Sequence, residues 1–125
     1  MSELLRVVIR DFDRLVKKIG RTVSIYQPTI SYNEERDKTY DLGEATTTKA
    51  IITDLTPDQP EVIRAGLDVS TAYNCYLKAT ETITKDTIIK IGDLYYTIWK
   101  IQKNEIAGST AFYSLIIQQE DIKTA

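Results

Sequence analysis

The sequence predicts a mainly β protein, a small antiparallel β-barrel or sandwich of about six to seven strands preceded by one N-terminal amphipathic α-helix. Apolar residues recur at spacings of three and four up to Gly20, which is typical of a helix with one buried face. After Gly20 the spacing changes to two, which is typical of strands, and turn signals then recur about every ten residues. A length of 125 residues favours a single domain.

The helix is predicted over residues 1–20, with Ser2 as its N-cap and Gly20 as the residue that ends it. Its apolar stripe consists of Leu4, Leu5, Val8, Ile9, Phe12, Leu15, Val16 and Ile19. Two interpretations remain open: the stripe packs on the rest of the chain, or it docks on a neighbouring subunit. For the second interpretation, the candidate contact residues are Leu5, Ile9, Phe12 and Val16.

The β-domain is predicted over residues 21–119, followed by a polar tail over residues 120–125. Alternating or β-branched runs predict strands at 22–26, 47–55, 71–79, 87–91, 94–101 and 111–119. Residues 60–67 fit either a helical turn or a short strand, and residues 104–110 are expected to form a turn.

The hairpin over residues 83–101 is the expected centre of this domain. Only Gly92 and Asp93 separate its two β-rich runs, which fits a type II′ or I′ turn because glycine accepts positive φ. Strict alternation would place Tyr95, Thr97, Trp99 and Ile101 on one face of the second run and Leu94, Tyr96, Ile98 and Lys100 on the other. Both faces are largely apolar, which favours a central strand or a closed barrel.

The main polar interval, residues 29–46, is predicted to be a long hairpin or extended loop with a solvated tip. Five of the six residues in 33–38 are charged. The interval is either a tolerated surface loop or a projecting contact loop, since long loops in small domains often carry function. The candidate contact residues are Tyr32, Asn33, Glu34, Glu35, Arg36, Asp37, Lys38 and Tyr40.

Composition argues against catalysis and against a cofactor or metal site. The chain has no histidine, which removes histidine triads and histidine metal sites. Cys75 is the single cysteine and is expected to be a buried, inert thiol in a strand. Glu34 and Glu35 lie in a polar interval without an apolar pocket that would raise a pKa. The chain is therefore predicted not to be an enzyme.

Charge and hydropathy limit the partners. A net charge of −2 and a pI near 5.2 argue against a dedicated nucleic-acid binder. An OB-like domain that binds single strands through aromatic stacking remains an alternative, because Tyr95, Tyr96 and Trp99 lie close together near several lysines. Charged residues interrupt the N-terminal stretch, which therefore resembles neither a signal peptide nor a membrane span. Synthesis in a reducing cytoplasm is expected.

Five segments, taken in order, resemble a known family. The opening helix is followed by GRTVSIYQPT (20–29), AIITDLTPDQPE (50–61), AGLDVSTAYNCYL (65–77) and ITKDTIIKIGDLYYTIWKIQ (83–102). Their order and spacing resemble the small head–tail connector proteins of tailed phages, which are head-closure, stopper or head-completion proteins. The last segment is the most recognisable, and in that family it forms a hairpin of a small β-barrel.

The resemblance implies a mechanical role in the virion neck, assembled in the host cytoplasm. Such proteins form rings, commonly of six or twelve copies, between a portal or adaptor protein above and a tail protein below. Genomic DNA passes through without sequence-specific binding, and a projecting loop takes part in sealing the channel. Twelve copies of this chain would carry about −24, an acidic collar that lets DNA slide. A tail-terminator or other tail-end ring protein is the alternative within the same class.

Overall fold

The computed structural model describes residues 2–55 and 71–122. Helix α1 is followed in this part of the chain by eight strands, and the ambiguous interval 60–67 lies outside the described residues. The elements are α1 (Glu3–Ile19), β1 (Arg21–Tyr26), β2 (Thr29–Tyr32), β3 (Lys38–Asp41), β4 (Ala45–Asp54), β5 (Ala72–Lys78), β6 (Ile88–Ile91), β7 (Leu94–Ile106) and β8 (Ser109–Gln119).

Six strands close into an antiparallel barrel in the order β1-β4-β5-β8-β7-β6, with β6 pairing back to β1. The predicted fold class is confirmed, and the barrel is the form it takes. Inward-facing residues alternate along each strand, as a filled small barrel requires. The fully packed interior includes Val23, Ile25, Ala50, Cys75, Leu77, Ile89, Ile91, Tyr96, Leu115 and Ile117.

The ends of α1 confirm the predicted boundaries, but the C-terminal end has a different cause. The Ser2 hydroxyl accepts a hydrogen bond from the Leu5 N–H at 3.0 Å, as an N-cap should. Gly20 has an extended backbone with φ of −69° rather than the left-handed conformation of a common glycine cap. A Cβ at Gly20 would collide with the Val16 carbonyl oxygen, so glycine is required there for space.

A β-bulge in β7 changes which face of the strand reaches the core. Ile98 pairs with Ile117 and Lys100 pairs with Ile116, so Trp99 is the extra residue. Tyr96, Ile98 and Ile101 consequently all pack on the barrel interior. The prediction that Ile101 shares a face with Trp99 is wrong, because strict alternation fails across the bulge.

The two tight turns of the β6–β7–β8 meander differ. Gly92 has φ of 60° while Asp93 stays outside the positive-φ region, which gives the type II′ alternative at the predicted hairpin. Between β7 and β8 both Ala107 and Gly108 have positive φ, at 53° and 81°, as in a type I′ turn. A turn does lie within the predicted interval 104–110, but the predicted bounds are too broad, because the ladder continues to the pair Ile106–Ser109.

Candidate interaction faces

Helix α1 lies on the outer surface of the barrel beside β4, β5 and β8. The ring of Phe12 stacks on that of Phe112 with centroids 4.8 Å apart and planes 11° from parallel. Phe12, Val16 and Ile51 form one buried cluster, with Tyr76 packed against it. The helix is thereby anchored to its own chain, which is the first of the two sequence-based interpretations.

This packing redefines which helical residues can meet a neighbour. Leu5, Phe12 and Val16 are buried and Ile9 is half-buried, so three of the four predicted contact residues are used within the chain. The remaining apolar residues of the stripe are open: Leu4 is 62% exposed, Leu15 46% and Ile19 53%. Because residues 4, 15 and 19 lie within about 60° on a helical wheel, they form one exposed apolar edge beside the buried face. We call these three residues the helix edge.

The solvent side of α1 is basic. The helix carries five basic and three acidic residues, a net charge of +2. Arg10 and Asp11 form an exposed ion pair with a 3.8 Å separation between Nε and Oδ1, which contributes little in water. Arg14 and Lys18 lie one turn apart and are exposed next to Leu15 and Ile19 in the sequence. The helix edge is therefore an apolar strip with Arg14, Lys18 and the ion-paired Asp11 on its solvent side, a border that carries net positive charge.

The polar interval forms an ordered hairpin rather than an irregular loop. Strands β2 and β3 pair from Thr29–Asp41 to Tyr32–Lys38 and form a two-stranded sheet of their own. At the tip, the Asn33 side-chain oxygen accepts hydrogen bonds from the N–H groups of Glu35 at 3.0 Å and Asp37 at 2.9 Å. Arg36 has φ of 64°, which a turn of this kind needs at its fourth position. We call β2, β3 and their turn the β2–β3 hairpin.

The β2–β3 hairpin lies over the outer surface of β6 and β7. Ile88 alternates with the inward-facing Ile89, yet it is only 1% exposed, so it is covered from outside. Ile30 and Tyr40 line, together with Ile88 and Trp99, a cleft of about 230 Å³ between hairpin and barrel. Tyr40 is buried, which removes it from the predicted contact residues.

A polar contact network fixes the base of this hairpin. Thr87, which is fully buried, donates its hydroxyl proton to the Gln27 side-chain oxygen at 2.9 Å. The Gln27 amide donates in turn to the Thr82 carbonyl oxygen at 2.6 Å. Because Gln27 lies in the two-residue link between β1 and β2, these bonds tie the start of the hairpin to the segment before β6.

The free surface of the hairpin is acidic and carries one open aromatic ring. Residues 29–41 contain four acidic and two basic residues, a net charge of −2. Tyr32 is 69% exposed, and the predicted contact residues 33–38 are exposed or half-exposed. Hydrogen bonding to Tyr40 raises the pKa of Lys38, so this lysine keeps its charge across the physiological range. Trp99, 50% exposed beside the cleft, extends the aromatic surface.

Two titratable side chains of the barrel interior, those of Cys75 and Tyr96, have raised pKa values. Cys75 is buried as predicted, and desolvation raises the pKa of its thiol to about 12, which keeps it protonated and unreactive. Burial is also the main cause that raises the pKa of Tyr96 in the barrel interior. Over residues 2–55 and 71–122, no three metal-ligating side chains come together. Within the same ranges, α1 lacks the apolar length needed to cross a bilayer.

Several solved structures share this fold, and two of them show how widely it occurs. One is the solution structure of protein SF1141 from Shigella flexneri 2a, with a TM-score of 0.57, 14% identity, and coverage of 84% of this chain and 96% of that one. The other is a chain of the virion of a native gene transfer agent particle, with a TM-score of 0.54, 9% identity, and coverage of 80% and 94%. At sequence identities this low, the structural similarity shows that the chains share a fold. No protein-family model and no curated protein sequence matches the chain.

Sequence patterns located the two elements but not all of their exposed residues. Leu4, Leu15 and Ile19 belong to the apolar stripe of α1 but are exposed. The width of the stripe indicates this exposure, since eight apolar residues are more than the barrel surface covers. Trp99 was assigned to a strand face by simple alternation. Its exposure follows from the bulge, which no spacing in the sequence signals.

Proposed function

We propose that this chain is a non-enzymatic structural protein of a phage-like virion, which forms a ring in the neck between a portal or adaptor protein and the tail. The observation that carries the proposal is the fold shared with a chain of a gene transfer agent virion along 94% of that chain. The ordered resemblance of four segments and the opening helix to head–tail connector proteins supports the same assignment.

The surface of the chain suits a ring component. A ring built from head-to-tail contacts needs two different faces on each copy that complement one another. Helix α1, which carries the helix edge, and the β2–β3 hairpin provide two such faces, since they lie on different barrel strands and have opposite net charge. The remaining surface needs only to let DNA pass, and a net charge of −2 per copy repels phosphates at short range.

Imaging the particle neck tests the position. A cleavable tag at the C-terminus, labelled in particles of the virus or element that encodes the chain, should mark a ring at the head–tail junction. Label confined to the lower end of that junction would favour the tail-terminator alternative. Particles that lack the chain altogether would refute a virion role.

Deleting the hairpin tip, residues 34–37, tests its part in the function. The barrel should remain folded because these residues make no contribution to its interior. We expect heads that leak DNA or fail to take tails. The matched control changes another exposed turn, Ala107→Asn between β7 and β8, which should leave assembly unaffected. A normal yield of infectious particles from the tip deletion would contradict a contact role.

Oligonucleotide binding separates this proposal from the OB-like alternative. Tyr26, Lys90 and Tyr95 cluster on the outer barrel surface, with the Lys90 Nζ 5.4 Å from the Tyr95 ring centroid, which is the arrangement a stacking site would use. A structural ring component should show no affinity for single-stranded DNA at physiological salt. Tight, salt-dependent binding that Tyr95→Ala abolishes would favour the alternative.

A further inference from the structure

Helix α1 and the β2–β3 hairpin occupy opposite sides of the barrel. In the barrel order β1-β4-β5-β8-β7-β6, the helix packs beside β4, β5 and β8, whereas the hairpin lies over β7 and β6. These are two separate arcs of a closed circle of six strands. A contact between the two faces therefore has to come from two copies of the chain, since they cannot meet within one.

The net charges of α1 and of the β2–β3 hairpin determine which contact between two copies is favourable. A helix-to-helix dimer would bring two elements of net charge +2 together, and a hairpin-to-hairpin dimer would bring together two elements of net charge −2. Like charges across an interface are unfavourable. Only the arrangement that places the helix of one copy against the hairpin of the next brings opposite charges together.

The apolar groups also match. The helix edge presents Leu4, Leu15 and Ile19, bordered by Arg14 and Lys18. The hairpin presents the open ring of Tyr32, bordered by acidic residues of its tip. An aromatic anchor surrounded by charge, meeting aliphatic residues surrounded by the opposite charge, has the composition of a protein–protein contact centre with a polar rim.

We propose that the β2–β3 hairpin of one copy docks on the helix edge of the next, with Tyr32 against Leu15 and Ile19, and Glu34 and Glu35 facing Arg14 and Lys18. The partner is a second copy of this chain, and the contact is heterologous, so successive copies continue in one direction around a ring. This inference deepens the proposed neck function and rests on it only for the final closure of the ring.

Thiol cross-linking of the purified chain tests the contact directly. Cys75 is buried and protonated, so wild-type protein should give almost no product with a short bis-maleimide. The informative variant carries both Leu15→Cys and Tyr32→Cys. Its matched control carries Leu15→Cys and Leu94→Cys, because Leu94 is a similarly exposed apolar residue at the β6–β7 turn, away from the hairpin.

At high protein concentration the L15C/Y32C chain should form a ladder of dimers, trimers and larger species, while each single variant stays monomeric. The L15C/L94C control should give a yield lower by about tenfold. A size limit at the top of the ladder would report the number of copies in the closed ring. Dimers from L15C alone or from Y32C alone, or equal ladders from test and control, would overturn the proposal.

A charge exchange provides the second arm. Adding Glu34→Lys and Glu35→Lys to the L15C/Y32C chain should lower the ladder yield about tenfold, because like charges then face each other. Adding Arg14→Glu and Lys18→Glu as well should restore it. Failure of the second pair to rescue would show that these groups do not meet. All four positions are exposed, so each variant should fold, and circular dichroism provides the check.

The outcome of this test is independent of the proposed function. A ladder together with absence from virions would leave the contact standing and refute the neck role. Particles that contain the chain in the neck, without a ladder in solution, would retain the function and refute this contact between copies.

Discussion

Truncating Phe12 to alanine should weaken the docking of α1 on the barrel. Phe12 is 9% exposed and stacks on Phe112 with a centroid separation of 4.8 Å. Removing a buried ring from the apolar contact forfeits about 1.5–3 kcal/mol of transfer free energy. Losing the aromatic pair removes a further 0.5–1.5 kcal/mol or so. We expect a loss of about 3 kcal/mol in the free energy of unfolding, at the lower end of the range for buried Phe→Ala changes.

The matched control is Leu15→Ala on the same helix. Leu15 is 46% exposed, and its truncation should change the free energy of unfolding by less than about 0.5 kcal/mol. Urea titration followed by far-ultraviolet circular dichroism reports the helix, and Trp99 fluorescence reports the barrel.

The result that would refute this reasoning is an equal loss of stability in the two variants. Equal losses would mean that α1 does not bury one face against the barrel and leave the other for a neighbour. A larger loss for Leu15→Ala would reverse the assignment of the two faces.

Three further perturbations have expected outcomes. Ala107→Gly should raise the free energy of unfolding by about 0.5–1 kcal/mol, because alanine at φ of 53° is strained. Thermal denaturation measures this gain, and a fall in melting temperature would argue against the type I′ turn. Asn33→Ala should speed amide exchange at Glu35 and Asp37, because their N–H groups lose the Asn33 side-chain oxygen as acceptor. Exchange in the barrel should stay unchanged. Equal protection of the two amides in wild type and variant would show that the Asn33 side chain does not hold the tip. Burial raises the pKa of the Cys75 thiol from 9.0 to about 12, so the thiol ionises at lower pH in the unfolded chain than in the folded one. The stability contributed by the buried, protonated thiol is therefore present below pH 9 and is lost as the pH rises towards 12. Chemical denaturation of Cys75→Ala between pH 8 and about 11 should therefore show a weaker decline than wild type, and parallel curves would contradict the assignment.

Periodicity predicted what each element is, and tertiary contacts decided which of its faces is covered. Eight apolar positions of α1 follow one helical stripe, but only the barrel determines that Phe12 is covered and Leu15 is not. The polar interval is predicted to be a hairpin or loop, but its position over Ile88, more than forty residues away, is a long-range contact that no local pattern indicates.

Strand faces and ends were the least predictable features. One inserted residue, Trp99, moves Ile101 to the interior, and a bulge leaves no periodic signal before it occurs. The sequence predicts a turn from Asn104 onward. In the structure Asn104 lies in the β7–β8 ladder, where its side-chain amide donates to the Ser114 hydroxyl at 2.7 Å, which satisfies the polar group within a strand.

Closure of the barrel has a consequence for how such a chain survives at high concentration. The six barrel strands present no open sheet edge, and open edges are where chains add to one another to form aggregates. Among the described strands, unpaired edges belong to β2 and β3, each four residues long, and β3 carries a charge at either end, Lys38 and Asp41. Short, charged edges resist strand addition. Copies of the chain can therefore associate through side-chain contacts rather than through added strands. Such contacts can form and dissociate without unfolding the barrel.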